Sequence, residues 1–377
     1  MRDKPLDGLR GIAALGVVLF HAHYTKWFEW MWTFVDLFFV LSGFLITRIV
    51  IEALESGSFS LKNFMIRRVL RIWPVYYTVL LMCILAVVVN YLQNGQWEHV
   101  SGVKAAPFFL QYTHHYFSPG LNAGSEKFII WFHHSWSIAV EEQFYLFMPL
   151  LLIAMRKRLS YCLVILFLLI LIALISRAYG AFHWLLVSRM DALCVGAIVA
   201  FYWHFLRRNN IHSFRITPLL ALATALLGLT LITADVLPAK IPDRYSDALS
   251  LFGFNLIFGC LLILLMEGWL PRLNAFMSSE AMVFFGSISY ALYMIHVPIR
   301  GMLLFVTDND KISDSATWVH IAYFSVSILV AYLSKILLEN RMDKLKYKFP
   351  VSTSTRNSDV QYGKEIDIPP VTQTAST

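Results

Sequence analysis

Apolar residues run through this chain in blocks of about 17 to 25, the helical length that crosses a bilayer core of about 30 Å. By hydropathy the blocks fall at residues 8–25, 32–51, 72–92, 136–155, 160–177, 188–206, 216–235, 248–267, 282–303 and 317–338. None alternates with period two, and a backbone facing lipid must satisfy its hydrogen bonds within the segment, so each block reads as helix and not as barrel strand. The pattern predicts an all-α, polytopic transmembrane helical bundle of about ten spans over residues 1–340, with no separate soluble domain. From about residue 347 the chain is rich in Ser, Thr, Asp and Pro and loses all periodicity, so residues 341–377 read as a polar, disordered tail.

Composition agrees with a membrane: 58% of residues are apolar and 15% charged, against about 45–50% and about 25% in soluble chains. The formal net charge of +7 does not point to nucleic acid, because the Lys and Arg residues lie between apolar blocks and form no single basic face. They set orientation instead. With the N-terminus in the cytoplasm, 22 of the 31 Lys and Arg residues fall on the inner side, seven on the outer side, and Arg177 and Arg189 at a rim. Both termini are therefore expected in the cytoplasm. The long outer loop, about residues 93–135, carries Trp97, His99, Tyr112, His114, His115, Tyr116, His133 and His134, which suit an interfacial belt or a sugar platform. No carboxylate or Cys spacing accompanies those histidines, so no metal is expected, and the four cysteines form neither a zinc pattern nor a disulfide framework. Gly11 to Phe20 has the length of a signal-peptide core, yet no A-x-A-like site follows in His21 to Trp32, so it reads as the first retained span.

An ionisable side chain at mid-bilayer costs about 2.5–3.5 kcal/mol or more unless paired or hydrated, which makes each one a candidate for function. Arg10 and His21 are eleven residues apart, or three helical turns plus about 20°, so they share one face roughly 16 Å apart. Asp36, Glu141, Glu142, Arg189, Asp191 and His296 fall near the outer ends of other blocks, level with His21, and imply a shared polar cavity. At the inner ends, Arg67, Arg68 and Arg71 gather near Arg10 as an anion site. Each set also has a structural reading. The arginines serve as topology anchors, Asp191 with Arg189 or Glu142 with a nearby Arg forms an ion pair, and Tyr290, Tyr293 and His296 form a packing stripe.

Six segments carrying these residues resemble, in order, those of the membrane acyltransferase-3 family, which includes bacterial O-acetyltransferases of lipopolysaccharide O-antigen, exopolysaccharide and nodulation factors. They are LDGLRGIAALGVVLFH, VDLFFVLSGFLIT, RRVLRIWPVYY, SWSIAVEEQFYLFMPLLL, SRMDALCVGAI and SYALYMIHVPI, reaching from Leu6 to about Ile299. Many relatives carry a C-terminal esterase-like domain, which this chain is expected to lack. The resemblance implies a multi-pass protein of a bacterial cytoplasmic (inner) membrane that moves an acyl group, most often acetyl, from cytosolic acyl-CoA to a hydroxyl of a glycan or glycolipid. His21 is then the expected base, since histidine's pKa suits deprotonation of a hydroxyl, with Asp36, Glu141 or Glu142 as its partner. Direct transfer and a covalent acyl-histidine relay both remain open. Arg10, Arg67, Arg68 and Arg71 are expected to hold the donor phosphates, and Arg189, Asp191, Tyr290, Tyr293 and His296 the acceptor. Ser42 is a second nucleophile candidate, although its neighbour Gly43 points to helix packing. The rival reading is a proton-coupled transporter, which also buries His, Asp, Glu and Arg, but the two halves show no internal repeat.

Overall fold

The computed structural model describes residues 3–22, 26–94, 131–156, 158–181, 184–209, 216–233, 243–307 and 316–351. Among them the chain forms helices joined by turns. Nine helices are long and apolar enough to cross a membrane: α1 (Lys4–Ala22), α2 (Phe34–Glu55), α3 (Leu61–Asn94), α4 (Trp136–Ala154), α5 (Ser160–Ala178), α6 (Leu186–Arg208), α8 (Asp243–Met266), α10 (Glu280–Thr307) and α11 (Thr317–Ser334). The remaining expected block is α7 (Ile216–Thr233), apolar but shorter, and α9 (Pro271–Met277) is a brief connector. All ten blocks read from hydropathy are therefore helical. The expected loop residues Trp97, His99, Tyr112, His114, His115 and Tyr116 lie outside the described residues.

Residues 341–351, which composition assigns to the tail, are a continuation of the helical chain. A π-helical turn, Lys335–Glu339, leads from α11 into α12 (Asn340–Lys346). The chain beyond α12 then returns to α3: Ser60 N donates to Val351 O at 3.2 Å, and Asn63 Nδ2 donates to Pro350 O at 2.8 Å. Residues 352–377 lie outside the described residues.

Close backbone approach, the means by which helices associate where lipid is as apolar as Leu, organises the bundle. A Cβ placed on Gly43 of α2 would fall 2.0 Å from Leu193 O of α6, and one on Gly196 of α6 would fall 2.0 Å from Val40 O. Only glycine fits either position. The contact between α1 and α10 is built the same way, with Gly11 against Gly286. Asp36 against Arg189 and Arg48 over the Trp203 ring give numbers that rise together in α2 and α6, as Gly11 against Gly286 and His21 against His296 do in α1 and α10, so each pair runs parallel. The pair α7 and α8 is antiparallel, since Gly228 meets Gly253 and Ile257 while Gly253 also meets Ile232.

Buried ion pairs add direction to this packing. Arg189 Nη1 of α6 donates to both carboxylate oxygens of Asp36 on α2 at 2.9 Å, with Asp36 fully buried. Arg177 of α5 forms a fork onto Asp191 of α6 at 2.9 and 2.8 Å, Arg177 Nη2 also donates to Ala248 O, and Asn255 Nδ2 of α8 donates to Asp191 Oδ2 at 2.9 Å. Helices α2, α5, α6 and α8 are thus tied into one block against which α1, α4 and α10 set the site.

Candidate active site

A cavity opens between α1, α2, α3, α4 and α10. At one end stand Arg10, Arg68 and Arg71, further in come Ser42, Glu141 and Tyr145, and Ser137, Tyr290 and Tyr293 complete the polar wall among apolar residues such as Phe38 and Ile72. Helix phase explains which arginines face in. Arg68 and Arg71 are one turn apart on α3 and share the cavity side, while Arg67, about 100° away from Arg68, donates through Nη1 to Lys346 O at 3.3 Å and Phe349 O at 3.5 Å. Arg67, expected on the donor face with Arg10, is not among the residues lining the cavity, whose cations are Arg10, Arg68 and Arg71; it contacts the segment after α12. Arg68 lies over the Tyr145 ring, 5.3 Å from its centroid, and Arg10 has a loose 3.9 Å pairing with Asp7.

Glu141 carries the one carboxylate in the cavity wall. Ser42 Oγ donates to its Oε1 at 3.0 Å, Tyr145 OH makes a short hydrogen bond to Oε2, and Tyr145 OH lies 3.3 Å from Ser42 Oγ. Ser42 and Gly43 thus divide two tasks between adjacent positions, Gly43 packing against α6 and Ser42 facing the cavity. Glu142 is not part of the wall, and its buried Oε1 has no hydrogen-bond partner among the described residues.

Tyr293 links the cavity to a cluster of histidines. Its OH donates to His134 O at 2.9 Å and lies 2.6 Å from Ser137 Oγ, and its ring centroid is 5.7 Å from that of His296. Pro298 helps to build this cluster. Proline has no N–H, so the helix leaves the carbonyl four residues earlier, Met294 O, without its usual donor; His134 Nε2 meets that oxygen at 3.1 Å. His296 Nδ1 lies 2.7 Å from Tyr293 O and 3.2 Å from Leu292 O, and its Nε2 lies 3.3 Å from His21 Nδ1. His21 Nδ1 in turn sits 2.9 Å from Val17 O.

The structure therefore brings together Arg10, Arg68, Arg71, Glu141, Tyr290 and Tyr293 around one cavity, and His21 with His296 next to it. It does not bring Asp36, Arg189 or Asp191 there. Asp36 was a candidate partner for His21, but its two oxygens are held by Arg189; Arg189 and Asp191 were acceptor candidates, and both are buried in ion pairs. The pairing anticipated between Arg189 and Asp191 is also exchanged, each taking another partner. Ser137 and Tyr145 were missed, and His134 was counted only with the outer loop. Their signal was present, because His134, Ser137, Glu141 and Tyr145 are spaced 3, 4 and 4 along the chain, the rhythm of one helix face.

Comparison with known proteins gives the family. An acyltransferase domain family matches residues 3–336. Among curated proteins, a putative O-acetyltransferase of Staphylococcus aureus (strain MSSA476) is 26% identical over 361 residues, 91% of this chain and 58% of the relative. The peptidoglycan O-acetyltransferase OatA of Listeria monocytogenes serovar 1/2a is 26% identical over 359 residues, 90% of this chain and 55% of the relative. The O-acetyltransferase OatA of Staphylococcus aureus (strain NCTC 8325 / PS 47) is 24% identical over 355 residues, 91% and 57% respectively. The chain thus spans a little over half the length of these relatives, and no solved structure matches it. A family match extending over residues 3–336 of 377 makes this multi-pass helical membrane protein a member of the acyltransferase family.

Proposed function

We propose that the chain is an O-acetyltransferase of a bacterial cytoplasmic membrane, taking an acyl group from cytosolic acyl-CoA and delivering it to a hydroxyl of a glycan or glycolipid beyond the membrane. The observation that carries this reading is a single cavity with three arginines at one end and, through Tyr293, a histidine cluster at the other. CoA carries several phosphates, and guanidinium groups are the side chains best matched to phosphate. Arg10, Arg68 and Arg71 would hold them, and the apolar wall of Val35, Phe38 and Ile72 suits the uncharged arm that bears the thioester. Near the histidine end, His21 takes the proton of the acceptor hydroxyl, whose oxygen bonds to the acyl carbon as the carbon–sulfur bond breaks. The proton then passes to the departing thiolate. A relay through an acyl-histidine uses the same nitrogen in two steps. Acetyl is the acyl group favoured by the activities for which the relatives are named.

The test is acyl transfer by purified His21→Gln in nanodiscs, normalised to folded protein by size exclusion. Gln keeps hydrogen bonding and much of the shape but cannot titrate. Turnover is expected to fall by about 10² to 10⁴, the usual contribution of a positioned base, with acyl-CoA binding retained. Near-parental turnover would remove His21 from the chemistry.

A further inference from the structure

A catalytic histidine commonly has a carboxylate on its far nitrogen, which fixes the tautomer and stabilises the imidazolium. Here none is in place. Among the described residues, Asp36 is held by Arg189 and Glu141 by Ser42 and Tyr145, while the groups near His21 include His296, His133, His134 and Arg300, none of them a carboxylate. We propose that His296 takes the carboxylate's place, so that His21 and His296 form an imidazole dyad, with His296 as a positioning residue that receives the Nδ1 proton of His21.

The assignment follows from what each nitrogen touches. Carbonyl oxygens only accept. His296 Nδ1 faces Tyr293 O and Leu292 O, so it bears the hydrogen, and in the neutral ring Nε2 is then a bare lone pair. His21 Nδ1 faces Val17 O and that lone pair, so it too bears the hydrogen and shares it between the two acceptors. The lone pair of His21 therefore lies on Nε2, for which the described residues provide no hydrogen-bond partner. That is the nitrogen free to take a proton from a hydroxyl. As it does, the Nδ1 hydrogen shifts toward His296 Nε2, and the single positive charge spreads over two rings, the second already backed by two carbonyl dipoles. When the carbon–sulfur bond breaks, the thiolate takes the proton from His21 Nε2 and the Nδ1 hydrogen returns. Atoms and charge balance without any further group.

A neutral partner also suits the setting. His296 has no exposed surface, and a carboxylate buried there would bear a desolvation cost of several kcal/mol between turnovers. The other groups around the dyad are the guanidinium of Arg300 and the ring of His133; Tyr293, with its hydroxyl engaged by Ser137 and His134 O; His134, with Nε2 on Met294 O; and Tyr323 of α11, whose OH donates to Val18 O at 3.2 Å. Tyr293, His134 and Tyr323 are each engaged elsewhere and do not compete for His296 Nε2.

The inference rests on the acyl-transfer reading for its role, but its geometry is testable without any reaction. In the full chain in nanodiscs, ¹⁵N NMR of neutral, assigned His21 and His296 should show both rings protonated on Nδ1 and bare on Nε2, with a coupling across the bond from His21 to His296. The opposite tautomer at either ring would overturn the proposal, even if the enzyme were active. The kinetic arm compares His296→Leu with His296→Gln, the second retaining an acceptor. Leu should lower kcat roughly 10²-fold, the scale of one positioned proton-transfer group, with donor affinity unchanged, and Gln should recover most of that loss. Parental turnover in folded Leu variant, or a folded Gln variant as impaired as Leu, would overturn it. Absence of transfer in the parent protein with the tautomers as stated would instead refute the acyl-transfer reading alone.

Discussion

A carbonyl accepts and never donates, and at the histidine end this one constraint orients three rings: His21 against Val17 O, His296 against Tyr293 O and His134 against Met294 O. Such detail is invisible in a sequence, where a histidine has a depth but no partner. The shared face of Arg10 and His21 was legible because eleven residues is a property of helical period alone. The choice among Arg67, Arg68 and Arg71 was not, since it depends on the rotation of α3 against its neighbours, and the structure turns Arg67 toward Lys346 O. That difference gives a test at the same scale. Arg71→Ala and Arg68→Ala should each weaken acyl-CoA binding by about tenfold or more, the scale of one charge-assisted contact of about 1.5–3 kcal/mol. Arg67→Ala should leave donor affinity near parental and instead lower thermal stability or loosen the segment after α12, read by calorimetric or tryptophan melting and by proteolysis. Equal losses of donor affinity in all three would restore Arg67 to the donor site.

At the scale of helices, hydropathy found every long helix because a membrane span announces itself by length, but it missed the short α9 and α12 and could not pair the spans. Asp36 and Arg189 sit at matching depth in blocks separated by 153 residues, and depth alone placed both with His21. Rotation and the glycine contact decide otherwise: Gly43 and Gly196 bring the α2 and α6 backbones together, leaving Asp36 facing Arg189 in a space closed to water. Breaking a buried pair strands one charge and costs about 3–5 kcal/mol, whereas replacing both members by apolar groups is often neutral or stabilising. Asp36→Ala should therefore lower the melting temperature and yield of folded protein, and Asp36→Leu combined with Arg189→Met should restore much of both. Turnover per folded molecule is the deciding quantity. A double variant that is stable but transfers no acyl group would return Asp36 to the chemistry.

For the whole molecule, the direction of the described helices bears on how many of them cross. Successive spans alternate in direction, so parallel helices must be an even number of crossings apart. Gly11 with Gly286 and His21 with His296 give the same offset of 275 residues at two levels, so α1 and α10 are parallel. With the nine longer helices alone, α10 would be the eighth crossing and would oppose α1; it becomes the ninth only if α7 also spans. Its 18 residues give about 27 Å of helix, close to the hydrocarbon thickness. Leu219, Leu222 and Leu226 expose more than half their surface, as lipid-facing side chains should. Ten crossings would place both termini on one side, and the 22 to 7 division of Lys and Arg predicts that this side is the cytoplasm. Reporters fused after Asn209 and after Glu267, on either side of α7 and α8, should then give the same cytoplasmic signal, while fusions at Gln93 and Met155, on either side of α4, should give opposite ones. Opposite signals at Asn209 and Glu267 would mean that α7 does not cross, and the parallel pairing of α1 with α10 would have to be abandoned with it.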